Sequence, residues 1–206
     1  MHEHQKRIAD AYDKMPHDPN RNAVRHAYNC FCNETVEQFI DIQRGWGWRD
    51  QLTLLPWRHA GQPYESSQEM FECLDRGMPL YFFTGGDLPK DHPLAGAVCG
   101  VTVAGLCLTY NDCFRAVHDI LGHYLTRSSW GPAGEETAYQ EHKKWYSPLA
   151  QLALQTETQG QNCWVNFGKH LRRQDGSLPV KGDTDYVLPS KRPYAQQKAN
   201  LISEYL

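Results

Sequence analysis

Two histidines stand five residues apart in an otherwise apolar stretch, FRAVHDILGHYL: His118 and His123. A buried polar group without a partner is costly, so two imidazoles in such a segment ask for a common partner. Glu157 lies thirty-four residues after His123, at the end of a mostly apolar run that contains Leu149, Leu152, Ala153 and Leu154. A carboxylate in that setting needs a metal, an arginine or a histidine. Two imidazoles and one carboxylate are the donor set of a facial triad, which holds mononuclear non-haem iron and leaves positions open for oxygen and substrate. The expected metal ligands are therefore His118, His123 and Glu157. Fe(II) is the expected ion, with zinc or manganese as the alternative. The spacing is not that of one helical stripe, since residues five apart on an ideal α-helix point about 140° away from each other. The ion would have to sit beside the helix, where Gly122 leaves room for it.

Further residues in the same region could serve that centre. Asp119 and Gln161 are placed to orient an imidazole. The segment GEETAYQEHKKWY supplies Glu135, Glu136 and His142. Glu135 and His142 are two helical turns apart and could take a second metal or act as general acid and base beside a single one. The expected catalytic residues are Glu135, Glu136, His142 and Asp119. The expected substrate contacts are Arg115 and Gln161 for polar groups, with Trp130, Tyr139 and Tyr146 as aromatic walls.

The leading expectation is a hydroxylase or oxygenase acting on a small molecule. The same ligands suit a zinc or manganese hydrolase with Glu135 or Glu136 as base, and His118-Asp119 forms the dyad of an HD-type phosphohydrolase. A third reading is a non-enzymatic phage accessory or structural protein whose polar cluster only joins helices. Cys113, five residues before His118, carries no sign of activation, and TGGD, Thr84 to Asp87, lacks the lysine and glycine spacing of a phosphate loop.

HDILGH, His118 to His123, is similar to the HELLGH iron motif of the pterin-dependent aromatic amino-acid hydroxylases, and QTETQG stands where that family has its glutamate within TVEFG. The resemblance implies His118, His123 and Glu157 as iron ligands. Asp119 stands where the family has glutamate, the interval to Glu157 is shorter, and no stretch corresponds to the pterin-binding region. A longer pattern (AYDKMPHDP, FRAVHD, GEE, YSPLA, TETQGQN, WVNFG) resembles a group of phage-encoded and bacterial proteins. That likeness implies one compact fold and brings no activity with it.

The elements that must position these residues read as α+β and predominantly helical, with helices around a metal-site core and a few short strands. The chain is expected to form a single domain over 1–206. Residues 1–110 give helices and short strands, 111–170 the metal-site helices, and 171–206 a loop and an amphipathic C-terminal helix from Pro193 to Glu204. Helices are expected near 2–15, 21–44 and 66–76. Asn111 or Asp112 is expected to cap the helix that carries the histidines, a further helix is expected over about 135–145, and Ser147-Pro148 starts another. PLYFFT, Pro79 to Thr84, reads as a buried strand, and 94–108 allows a strand pair. GWGW, Gly45 to Trp48, is expected to end the second helix.

With 206 residues the chain can bury roughly two thirds of its unfolded surface. The formal net charge of −3 argues against a general grip on nucleic acid. No apolar run approaches the roughly 18 residues of a membrane span. The N-terminus, MHEHQKRIADAY, is polar and unlike a signal peptide. Seven cysteines without a CxxC pair fit a reducing cytoplasm, the host's if the chain is phage-encoded. Oligomeric state is left open.

Overall fold

The computed structural model describes residues 2–45 and 51–206. Trp46 to Trp48 of the GWGW stretch lie outside them. Gly45 is described and adopts a left-handed conformation (φ 75°) that closes the second helix, a conformation glycine adopts without steric cost. The architecture is predominantly helical α+β, as the sequence pattern implies.

Helix α1 spans Glu3–Lys14 and α2 spans Asn22–Arg44. Strand β1 (Leu54–Trp57) pairs in parallel with β2 (Leu80–Phe83), and helix α3 (Ser67–Asp75) forms the crossover. Ser66 caps α3 by accepting from the Glu69 N–H. The ambiguous stretch near 94–108 is an antiparallel pair, β3 (Ala97–Val103) with β4 (Leu106–Thr109).

Helix α4 (Tyr110–Val117) follows β4 directly. Its cap is Thr109, ahead of the expected Asn111 or Asp112. Thr109 and Asp112 form a reciprocal capping box, so Asp112 serves at the third helical position. Helix α4 runs without a break into a π-helical segment, His118–Tyr124. Helix α5 covers Pro132–His142 and tightens to a 3₁₀ turn over Lys143–Trp145, so the helical block begins three residues earlier than expected and ends where expected. Helix α6 (Pro148–Gln155) has Ser147 as its cap, as expected, and passes through a second π-helical segment, Thr156–Gly160, into α7 (Gln161–Phe167).

The expected C-terminal helix over 193–204 is absent. Only a 3₁₀ turn at Ile202–Tyr205 forms. The backbone before it is engaged elsewhere: Ala199 N–H donates to His17 Nδ1, the Ala199 carbonyl accepts from Asp18, and the Asn200 carbonyl accepts from Thr156. Groups used for docking across the molecule are not free to close helical turns.

Among the described residues the core has three apolar clusters. One joins α2, the β1–β2 pair and α4; a second lies between α2 and α6; a third clasps α1 onto α7. The π-helical segment with the two histidines packs against α5. Among the described residues no helix is long and apolar enough to cross a membrane.

Candidate metal centre

The π-helix settles how two histidines five apart can share a partner. Its rings close from residue i to i+5, so each turn holds more than four residues. Positions five apart then return to nearly the same face. The rings of His118 and His123 meet edge to face with centroids 5.0 Å apart.

Helix α5 brings the carboxylate. Glu135 sits in its first turn, after Pro132 at the helix start, where the helix dipole favours negative charge. Two glycines allow the approach. A Cβ on Gly122 would lie 3.1 Å from the Ala138 Cβ and 3.2 Å from both the Ala138 carbonyl oxygen and His118 Nδ1. A Cβ on Gly134 would overlap the Ser129 carbonyl. Glu135 Oε2 lies 3.6 Å from His118 Nε2, and Oε1 lies 3.4 Å from His123 Nε2. One donor atom from each of the three residues falls within 4.8 Å of the others.

The protons on both imidazoles are fixed from behind. The Trp145 carbonyl can only accept, so Gln38 donates to it through Nε2 at 2.9 Å and turns Oε1 towards His142. His142 Nε2 therefore donates to Gln38 Oε1 at 3.1 Å. His142 is fully buried, and burial, followed by the charges of His118 and His123, holds its pKa well below the usual histidine value. It is neutral, so its Nδ1 accepts from His118 Nδ1 at 3.0 Å. That leaves His118 Nε2 with a bare lone pair, buried and without a hydrogen-bond partner. His123 Nδ1 donates to the Ser128 carbonyl at 3.1 Å, which likewise frees its Nε2. Two imidazoles held in the Nε2-ligating tautomer by hydrogen bonds at Nδ1 are what a metal site requires.

Electrostatics agree with the geometry. Burial works against the Glu135 carboxylate, but hydrogen bonding and the charges of His118 and His123 outweigh it and take its pKa down to about 2. Burial also opposes charge on His123, and its interactions with Glu135 and Asp119 overcome that, so its pKa is raised. Without a cation, the pair would draw a proton onto His123. A divalent ion would take that proton's place.

Glu157 stands outside this group. Tyr28 O–H donates to its Oε1, Gln161 Nε2 donates to its Oε2 at 2.9 Å, and His92 Nε2 lies 3.3 Å from Oε1. The apolar flank of Glu157 did signal a need for partners, and neutral donors meet it. The carboxylate beside the histidines is Glu135, which the sequence suggested as base or ligand of a second metal.

A cleft of about 740 Å³ opens on the centre, and His118, Asp119, Glu135, Arg115, Trp130, Gln161 and Glu157 all line it. Burial raises the pKa of Asp119 against the opposing effect of His123 and His118. The remaining expected residues lie elsewhere. Tyr139 and Tyr146 are buried in the α2–α6 cluster, and Tyr146 shares a hydrogen bond of 2.7 Å with Thr35. Glu136 accepts from Gln140 and Gln159. His142 stands behind His118 and holds it in place. Cys113 is fully buried and its thiol is pushed up to about 12 by burial, which disfavours a thiolate.

Gln38, Ser128, Tyr28 and His92 give no signal in the sequence. Gln38 and Tyr28 sit in the helical pattern of α2, and His92 in a loop rich in proline and glycine. None carries a local motif. Comparison with protein-family models, with curated proteins and with solved structures gives no match for this chain.

Proposed function

We propose that the protein is a mononuclear non-haem iron oxygenase or hydroxylase acting on a small molecule, with the ion held by His118, His123 and Glu135. The observation that carries this reading is the pair of Nε2 lone pairs, fixed by hydrogen bonds at Nδ1, that face the Glu135 carboxylate at one wall of a cleft. Two histidines and one carboxylate with open positions are characteristic of non-haem iron oxygenases. Bound there, ferrous iron would supply the activation of dioxygen for transfer to substrate. The chain's own residues do the rest. His142 and Ser128 hold the two imidazoles. Asp119 keeps a carboxyl at the cleft that retains a proton more readily than an exposed aspartate would. Trp130 and Phe114 give the cleft aromatic walls, and Arg115 presents a guanidinium held over the Phe83 ring at 5.2 Å.

Loading metal-free protein with ferrous iron and following oxygen uptake over a panel of small molecules tests the proposal. Substrate-dependent uptake that His123→Ala abolishes is the expected result. Uptake unchanged by that substitution would sink it. One observation favours a second reading: Asp119 beside His118 suits a general base for water on zinc, and two histidines with a glutamate also form a zinc-hydrolase ligand set. Zinc retained through native purification, with no oxygen uptake after exchange for iron, selects the hydrolase.

A further inference from the structure

Glu157 poses a problem of charge. It lines the cleft, yet its side chain is only 2% exposed. Both its oxygens accept hydrogen bonds, from Tyr28 and from Gln161, the pattern of an ionised carboxylate. No lysine or arginine among the described residues forms an ion pair with it. Arg115 lines the same cleft and makes no such pair. The nearest group that could carry charge is His92, whose Nδ1 accepts the Leu94 N–H at 3.2 Å. With Nδ1 accepting, the ring proton sits on Nε2 and the imidazole is neutral. His92 Nε2 is buried and poorly directed for a hydrogen bond to Glu157. His17, stacked on His92, turns its own Nε2 to Asp91 at 3.1 Å. The carboxylate is thus held by neutral donors alone, in a place where an uncompensated charge is expensive.

The two glutamates of the cleft differ in this respect. Glu135 faces two imidazoles placed to share a cation with it, whereas Glu157 has oriented oxygens and nothing cationic. Among the described residues the lining carries Asp87, Asp119, Glu135 and Glu157 against one guanidinium, Arg115. We propose that Glu157 is the recognition carboxylate of this cleft and receives a cationic N–H donor of the substrate, an ammonium or amidinium group. Tyr28 and Gln161 fix the carboxylate through hydrogen bonds to its two oxygens, so that it meets the cation without rearranging. The aromatic lining, Phe114 and Trp130 among it, suits a substrate whose body is a ring or an apolar chain. This inference rests on reading the cleft as the substrate site; it does not depend on which metal is bound.

The test uses benzylammonium as the probe, with benzyl alcohol and benzoate of the same shape as comparators, titrated calorimetrically into the metal-free full chain at neutral pH. The wild type is expected to bind benzylammonium at least about tenfold more tightly than either comparator, the scale of one hydrogen-bonded charge. Glu157→Gln is expected to remove that preference and to keep its bound metal. Glu135→Gln is expected to do the reverse, losing the metal and keeping the preference. Absence of selectivity for the ammonium in the wild type overturns the proposal, and that comparison needs no variant to fold. Retention of the preference by Glu157→Gln overturns it as well. Loss of the metal by Glu157→Gln would make Glu157 a ligand and also overturn it. Metal content and probe affinity are separate readouts, so a failure here is distinguishable from a failure of the metal centre.

Discussion

At the scale of single residues, the metal centre depends on where protons sit. The chain from the Trp145 carbonyl through Gln38, His142 and His118 leaves one lone pair at its far end. Breaking it at His142→Ala frees the His118 ring to rotate and change tautomer. Loss of such a supporting partner typically costs about 10–100-fold in metal affinity, and a competitive chelator titration of the variant should read a loss in that range. The same residues set a pH dependence in the metal-free protein. His142 is held neutral in the fold, so below the ordinary value of 6.5 the unfolded chain binds a proton that the folded one refuses, and stability falls as pH falls. His123 has the opposite sign. Its raised pKa contributes stability fully present below 6.5 and lost as pH rises through the folded value. Glu135, at about 2, contributes above 4.5 and loses that only towards pH 2, outside this window. Denaturant melts in chelator should therefore show a smaller loss of stability below pH 6.5 in His142→Asn than in the wild type. An undiminished loss in the variant would contradict the assignment of His142. The two histidines were legible in the sequence because imidazoles in an apolar helix need a reason. Their carboxylate was not, because Glu135 lies in a polar segment where an acidic residue needs none.

At the scale of elements, the device is the π-helix. An α-helical reading put His118 and His123 on diverging faces; the wider turn aligns them. Periodicity in sequence cannot separate the two, since the apolar pattern of FRAVHDILGHYL satisfies either. Helix α5 then has to come close, and Gly122 is the residue that admits it. Gly122→Ala places a methyl 3.1 Å from the Ala138 Cβ. Over-packing of this kind costs about 1–3 kcal/mol, and the relief available is outward movement of α5, which carries Glu135. The variant should unfold at lower denaturant and bind metal more weakly. Weaker folding with undiminished metal affinity would show that α5 is not held by this contact. The missing C-terminal helix belongs to the same scale: residues 193–204 have helical amphipathicity, but their backbone groups near Ala199 and Asn200 bond to distant parts of the chain.

At the scale of the whole molecule, the fold class was legible because strong helical periodicity and one aromatic strand dominate the pattern. The closure of the C-terminal segment over α1 and α6 was not, since it depends on pairings across most of the chain length. Asn200 is its fastening: 1% exposed, it accepts from Arg21 and from Leu201 N–H and donates to the Pro16 carbonyl. Asn200→Ala leaves the buried Leu201 N–H without this partner and removes the bonds to Arg21 and to the Pro16 carbonyl, at about 1–3 kcal/mol, and none of these groups touches the metal ligands. Equilibrium unfolding should show that loss with metal stoichiometry unchanged; a parallel loss of metal would mean that the closure and the centre are coupled.

Whether His118, His123 and Glu135 hold one ion is tested most directly by elemental analysis of protein loaded anaerobically with ferrous iron and freed of excess. One ion per chain is expected in the wild type and close to none in Glu135→Ala. Full occupancy in Glu135→Ala would contradict the assignment of all three ligands to a single centre.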